Sequence, residues 1–264
     1  MLELPYIDSD LAKDEIIDFI NETIDKSHSK GIVIGLSGGI DSSVSAYLAK
    51  EAVGKENVLG IHLYSSTTPD EDRNDAKLIA KILDIEYIEI SIDSIIEEIK
   101  NTTNTKKSKL ANGNLKARIR MSLLYYYANI HNYLVIGTSN RSELLIGYFT
   151  KFGDGGCDLE PIGNIYKSQL RILAKKWEIP ENIITKPPRA GLWPNQKDED
   201  EIGLTYNVLD SLLYMIVDKN MTNKEIHENI EITDKEIDNI RLKIKNNEHK
   251  LMIPQTPLDS GKKF

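Results

Sequence analysis

Apolar positions along this chain follow two alternating rhythms. Short unbroken runs, "GIVIGL" (31–36), "NVLGIHLY" (57–64), "IEYIEI" (85–90) and "YLVIGT" (133–138), have the length and β-branched content of strands buried on both faces. Between them, apolar residues recur every three or four positions, which predicts helices. Residues 9–29 carry Leu11, Ile16, Phe19, Ile20 and Ile24, with Ser9 or Asp10 as a cap. Helices are also expected over 41–53, 70–84, 91–100 and 114–131, the last with a stripe of Leu115, Ile119, Leu123, Tyr126 and Ile130. Strands alternating with helices in this way indicate an α/β fold: three layers, α/β/α, around a mostly parallel, doubly wound sheet. Ligands bind such sheets beyond the carboxyl ends of the strands, so chemistry is expected just after residues 36, 63, 90 and 137.

The rhythm stops after residue 138. "GYFTKFGDGGCDLEPIG" (147–163) is rich in Gly and Asp without periodicity, the texture of an ordered functional loop. Residues 166–177 return to helical spacing. "KPPRAGLWPNQKDEDEIG" (186–203) holds three prolines and is read as irregular, later segments as helical, and the tail "IPQTPLDSGKKF" as irregular. No internal repeat is visible.

Composition narrows the function classes. The 264 residues are 40% hydrophobic and 28% charged, as in ordinary globular proteins, and are expected to form a single domain over 1–264. The acidic start "MLELPYIDSDLAKDEI" has no apolar signal core, so a cytoplasmic protein is expected. Cys157 is the only cysteine, which excludes an intramolecular disulfide and disfavours a cysteine-based metal site. With a formal charge of -8 the chain lacks the basic balance of a duplex binder, and neither nucleic acid nor membrane is expected as a partner. The one basic tract is 105–120, where Lys106, Lys107 and Lys109 read as a solvated approach to a helix.

Against that background "GLSGGIDSS" (35–43) stands out at a strand-to-helix junction. It lacks the Lys of a Walker A loop and the glycine spacing of a dinucleotide fingerprint. Gly38 and Gly39 would let backbone N–H groups face an anion, Ser37, Ser42 and Ser43 would add hydroxyls, and the helix N-terminus adds a favourable dipole. Asp41 beside phosphates calls for an intervening cation, of which Mg²⁺ is the usual one.

This pattern resembles the PP-loop ATP pyrophosphatases (adenine nucleotide alpha hydrolase-like), which cleave ATP between its α- and β-phosphates. Asparagine, GMP and NAD synthetases and tRNA-thiolating enzymes share it. Further segments, "NLKARIRM" (114–121), "GTSNRSE" (137–143), "YFTKFGDGGCDLEPIGNIYKSQLR" (148–171), "KPPRAGLW" (186–193) and "EHK" (248–250), resemble in order and spacing the NAD synthetase family.

The resemblance implies ATP- and Mg²⁺-dependent amidation of deamido-NAD to NAD by ammonia, through an adenylated intermediate, with loss of AMP and pyrophosphate. ATP would meet Gly35, Leu36, Ser37, Gly38, Gly39, Ile40, Asp41, Ser42, Ser43, Thr138, Lys167 and Arg189. Deamido-NAD would meet Arg118, Lys151, Asp158, His249 and Lys250. Asp41 and Glu143 would hold Mg²⁺, Asp154 would take the proton from ammonium, and Lys186 would stabilise the leaving pyrophosphate. The family has Ser or Thr where this chain has Arg189, and the segment after the second strand differs too, so adenine contacts there stay unassigned. A homodimer is implied, with the substrate near its interface. No room is expected for a glutaminase domain, so the donor would be free ammonia or ammonia from a separate subunit.

Two other classes compete. A tRNA-modifying PP-loop enzyme would need extra cysteines and a basic face. A non-catalytic nucleotide-binding module would not need Glu143 or the Gly-Asp loop.

Overall fold

The computed structural model describes residues 4–103, 108–193 and 196–254. Lys106, Lys107 and most of the tail therefore lie outside the described residues, and so does Pro194 of the proline-rich stretch.

Four strands form where the apolar runs lie: β1 (Ile32–Gly35), β2 (Val58–Tyr64), β3 (Glu86–Ser91) and β4 (Leu134–Ile136). They pair in the order β3-β2-β1-β4, and every pairing is parallel. Reversal of direction from β1, outward to β2 and then back to β4, opens a crevice at the carboxyl ends of the central strands. An isolated parallel bridge between Ile136 and Leu159 extends the sheet beyond β4.

Side chains alternate across this sheet into two apolar layers. Ile32, Ile34, Val58 and Ile136 face α1 (Ser9–Ser27), α2 (Ile40–Val53), α3 (Asp70–Leu83) and α7 (Lys167–Lys176). Val33, Leu59, Ile61 and Val135 face α4 (Asp93–Thr103) and α5 (Lys109–His131). Burial on both faces is why the strands read as unbroken apolar runs rather than as alternation. A second helical cluster, built around Tyr206, Leu209, Leu212, Ile226 and Ile237, joins α6 (Arg141–Ile146) to α10 (Tyr206–Leu213), α11 (Asn223–His227) and α12 (Asp234–Asn247).

Some boundaries differ from the sequence reading. Asp8, not Ser9 or Asp10, caps α1, its Oδ1 accepting the N–H groups of Asp10 and Leu11 at 3.0 Å each. Helix α5 begins at Lys109, five residues before the expected start at 114, because Ser108 caps it through the N–H of Ala111 at 3.2 Å. Along α5 the stripe divides: Leu115, Ile119 and Leu123 pack on the sheet, whereas Tyr126 and Ile130 are 63% and 58% exposed. Within the stretch read as irregular, α9 (Asp198–Ile202) forms once the prolines are past, its first turn made of Asp198, Glu199, Asp200 and Glu201. Carboxylates there complement the positive end of a helix dipole. α8 (Glu181–Ile184) precedes that stretch.

Candidate active site

A cavity of about 690 Å³ opens at the carboxyl ends of β1, β2 and β4, a volume suited to a nucleotide-sized ligand. All the residues singled out from sequence line it except Gly38, Ser43 and Asp158.

The β1–α2 loop forms its floor. Gly38 has φ +80°, and a β-carbon there would lie 2.1 Å from the carbonyl oxygen of Asp72, so only glycine fits the turn. Ser37 and Ser42 join their hydroxyls at 3.0 Å, and the Gly39 N–H donates to Ser37 Oγ at 3.2 Å. Ser42 and Ser43 hydroxyls donate to the Gly39 carbonyl at 3.1 and 2.8 Å. These serines brace the loop, and Ser43 is turned wholly into the protein. What remains for an anion is the N-terminus of α2.

Two carboxylates meet above that floor. Asp41 comes from the first turn of α2 and Glu143 from the first turn of α6. Asn140 connects them: its Nδ2 donates to Asp41 Oδ1 at 2.8 Å, and its Oδ1 caps α6 through the Glu143 N–H at 3.1 Å. Lys167, 2% exposed at the start of α7, puts its ammonium between the two, bonded to Asp41 and 3.5 Å from Glu143 Oε1. Burial opposes the Lys167 charge, but Asp41 and Glu143 outweigh it and hold the ammonium above the ordinary lysine range. Glu143 is driven well above the usual carboxylate range, first by burial and then by Asp41 and Asp198, against the pull of Lys167. One ammonium is thus shared by more carboxylates than it can neutralise. Among the described residues no group of three or more His, Cys, Asp or Glu side chains is arranged to enclose a metal. Mg²⁺ takes as few as one or two protein carboxylates and completes its octahedron with water and phosphate oxygens, so the donor types of Asp41 and Glu143 suit it without a third protein ligand.

A strap of residues 186–193 lines the cavity along its whole length. Lys186, 6% exposed, donates to the Gly38 carbonyl at 3.0 Å and pairs with Asp72 at 3.1 Å and with Asp75. Arg189 grips Asp72 and Glu71 at 2.6 and 2.7 Å. The strap is therefore tied to the first turns of α3 as well as to the β1–α2 loop. Lys116 of α5 adds a link, donating to Thr67 Oγ1 at 2.6 Å and to the Leu192 carbonyl at 3.0 Å.

The Gly-Asp loop (147–163) forms the opposite wall. Asp154 Oδ1 accepts the Thr150 N–H at 3.0 Å. Its side chain is open to the cavity, and the protein crowded around that opening displaces enough water to raise its pKa against the opposing hydrogen bonds from Thr150 and the charge of Arg120. Lys151 donates to the His249 carbonyl at 2.5 Å, and Arg118 of α5 donates to the Lys151 carbonyl at 3.3 Å. Lys250 reaches from the C-terminal turn to the carbonyls of Gly147 and Phe149 at 2.6 and 3.0 Å. Asp158 sits apart, its carboxylate taking the Val135 N–H at 2.7 Å and the Tyr125 hydroxyl at 3.0 Å.

Other residues of the site were not singled out in advance. Asp198 is buried, receives the Tyr148 hydroxyl at 3.1 Å, and is pushed up to about 6 by burial despite nearby Lys167. Arg120, by contrast, is one of the cations that the motif "NLKARIRM" already carries in sequence; it donates to the Leu63 carbonyl at 2.8 Å and is pushed down to about 10 by burial, so its guanidinium is set inside the site. Asn140 had a legible signal, since Asn followed three residues later by Glu is a capping-box pattern. Asp198 had none, because it follows a proline-rich stretch with no periodicity.

A family profile described as NAD synthase matches residues 12–254. An NH(3)-dependent NAD(+) synthetase of Methanococcoides burtonii is 45% identical over 246 residues, covering 92% of this chain and 93% of its own. Among solved structures, an NMN synthetase from Francisella tularensis has a TM-score of 0.85 and 35% identity, covering 96% of this chain and 99% of its own. An NH3-dependent NAD synthetase from Campylobacter jejuni has a TM-score of 0.80 and 33% identity, covering 95% and 99%.

Proposed function

This chain belongs to the NAD synthase family, and from that premise we propose that it is an ATP-dependent ligase that amidates deamido-NAD to NAD with ammonia. The observation that carries the reading is one cavity with two chemically distinct walls. One is a glycine loop with paired carboxylates, and the other a Gly-Asp loop flanked by the cations Arg118, Lys151 and Lys250.

In this reading the triphosphate lies over the β1–α2 loop, with Thr138 and Lys186 beside it. Mg²⁺ held by Asp41 and Glu143 would neutralise phosphate charge. The nicotinate carboxylate attacks the α-phosphorus in line, and the bond to the bridging oxygen of pyrophosphate breaks. The α2 N-terminus and Lys186 stabilise the charge on the leaving group. Ammonia then attacks the acyl-adenylate and AMP leaves. Ammonium predominates at neutral pH, so a base must take its proton, and Asp154 faces the cavity for that task. Arg118, Lys151, His249 and Lys250 bind deamido-NAD, as does Asp158. Asp158 lies outside the cavity wall and bonds to Tyr125 of α5, beside exposed Tyr126 and Ile130. That placement supports a homodimer formed across α5 with the substrate near the interface. Residues 1–264 act as one catalytic unit in the cytoplasm. Among the described residues no helix is long and apolar enough to cross a membrane.

Nicotinate mononucleotide is the competing acceptor, raised by the structural relative named an NMN synthetase. The test supplies ATP, Mg²⁺ and ammonium with either acid and measures amide and pyrophosphate. A kcat/KM at least about tenfold higher for deamido-NAD is expected, equivalent to some 1.4 kcal/mol of extra binding from the second nucleotide. Preference for the mononucleotide would reassign the substrate, and no amide from either would end the ligase reading.

Arg189 tests the departure in the strap. Its guanidinium is already engaged by Asp72 and Glu71, so Arg189→Ser should raise the KM for ATP by no more than about fivefold, the scale of a partly exposed ion pair. Steady-state kinetics at varied ATP check this; a rise beyond about fiftyfold would place Arg189 directly on phosphate.

A further inference from the structure

Glu160 has no part in the chemistry described so far. It follows Leu159, whose carbonyl accepts the Gly137 N–H at 2.8 Å where the chain runs beside β4. The Glu160 carboxylate lies flat against the bare α-carbon of Gly137: a β-carbon there would sit 2.3 Å from Glu160 Cδ. One oxygen, Oε2, accepts the Ser139 N–H at 3.0 Å, and the other, Oε1, accepts the Cys157 thiol at 3.2 Å. Each partner leads to a different half of the site. Ser139 precedes Asn140, which holds Asp41 and caps Glu143. Cys157 belongs to the loop that carries Lys151 and Asp154.

We propose that Glu160 is a positioning residue for the amidation: its carboxylate clamps the β4–α6 turn to the Gly-Asp loop and fixes the spacing between the phosphate-binding wall and the ammonia-accepting wall. The proposal rests on the ligase reading above. An ionised carboxylate makes the clamp stronger, because an N–H bonded to a charged acceptor is held about twice as firmly as one bonded to a neutral one. Burial pushes Glu160 up to about 7, with the Asp154 carboxylate adding to it and the Cys157 and Ser139 hydrogen bonds opposing. A carboxyl raised in the folded protein holds its proton as pH climbs past the ordinary carboxylate value of 4.5, and becomes a full clamp only above its folded value. Turnover should therefore gain a limb rising through about pH 7.

The experiment uses wild type, Glu160→Gln and Glu160→Ala with ATP, Mg²⁺, deamido-NAD and ammonium, free ammonia being held constant across pH. It reads kcat and KM for NAD formation, ATP–pyrophosphate exchange and thermal midpoint. Glu160→Gln keeps an acceptor for the Ser139 N–H and should retain kcat within about threefold while losing the limb near pH 7. Glu160→Ala should lower kcat about 10–100-fold with KM for ATP changed less than about threefold, the signature of misplacement rather than weakened binding. Overturning results are a Glu160→Gln variant that keeps the limb, or both variants lowering the thermal midpoint with kcat unchanged. If Glu160→Ala fails to fold, the Glu160→Gln pH profile decides alone. Wild-type protein that makes no NAD would remove the ligase reading, and this proposal with it.

Discussion

Asp41→Asn should reduce NAD formation by about 10²–10³-fold or more, the scale seen when a charged stabiliser of a developing anion is removed. Asp41 touches both Lys167 and Asn140 and, in the proposed reading, shares the metal with Glu143. The substitution keeps the shape and one acceptor oxygen for Lys167, at the cost of the acceptor for Asn140 Nδ2, and removes the charge that draws in Mg²⁺. Adenylation consumes the ATP that this cation would accompany, and amidation needs the adenylate so formed, so pyrophosphate exchange and NAD formation should fall together. The loss of stability should stay within about 1–3 kcal/mol, the cost of the Asn140 amide left without its acceptor. The buried Lys167 ammonium retains Glu143 at 3.5 Å, so it is not left as an unpaired buried charge, whose cost is about 3–5 kcal/mol. Glu143 would also lose one of the neighbours that raise its pKa, and would ionise more readily. Turnover and a thermal melt on the same preparation check both halves, and near-wild-type turnover would contradict the metal assignment.

Asp154→Asn should separate the two half-reactions. Adenylation does not need the ammonium base, so ATP–pyrophosphate exchange should stay within about threefold of wild type, whereas NAD formation should fall about 10²–10⁴-fold, the usual worth of a placed acid or base. The wild-type pH profile adds a second readout. The protein crowded around the open side chain of Asp154 raises its pKa, and the base works only when ionised, so activity should fall as pH drops through a value above the ordinary aspartate range. That acid limb should vanish in Asp154→Asn, leaving the limb assigned to Glu160. Equal loss of exchange and amidation would mean that Asp154 serves the whole site, not the ammonia step.

Much of the site was legible because its residues sit at positions that local physics marks. Gly38 reads as special since no other residue tolerates both its φ and the pressure of the Asp72 carbonyl. Glu143 was singled out by its place just past a strand's carboxyl end and by the resemblance of "GTSNRSE" to the NAD synthetase family, and the structure puts it in a capping box with Asn140. Asp198, Lys116 and Glu160 gave no comparable signal. Each acts through partners far away in sequence: Asp198 through Tyr148, Lys116 through Leu192 and Thr67, Glu160 through Ser139. Their meaning depends on which segments the fold brings side by side, and spacing along the chain carries none of it. Ser42 and Ser43 illustrate the converse. Their residue type in a glycine loop implied donors for an anion, yet their hydroxyls brace the loop through the Gly39 carbonyl.

From its sequence alone this protein is an α/β chain with a parallel sheet and a nucleotide loop after the first strand, because periodicity and glycine placement are local properties that folding preserves. Tertiary structure alone decided the electrostatics: that Lys167 lies between Asp41 and Glu143, and that Lys186 and Arg189 are held by α3. It also decided that the outer end of the α5 stripe faces solvent. Charges interact through space, so their partners are fixed only when distant segments meet.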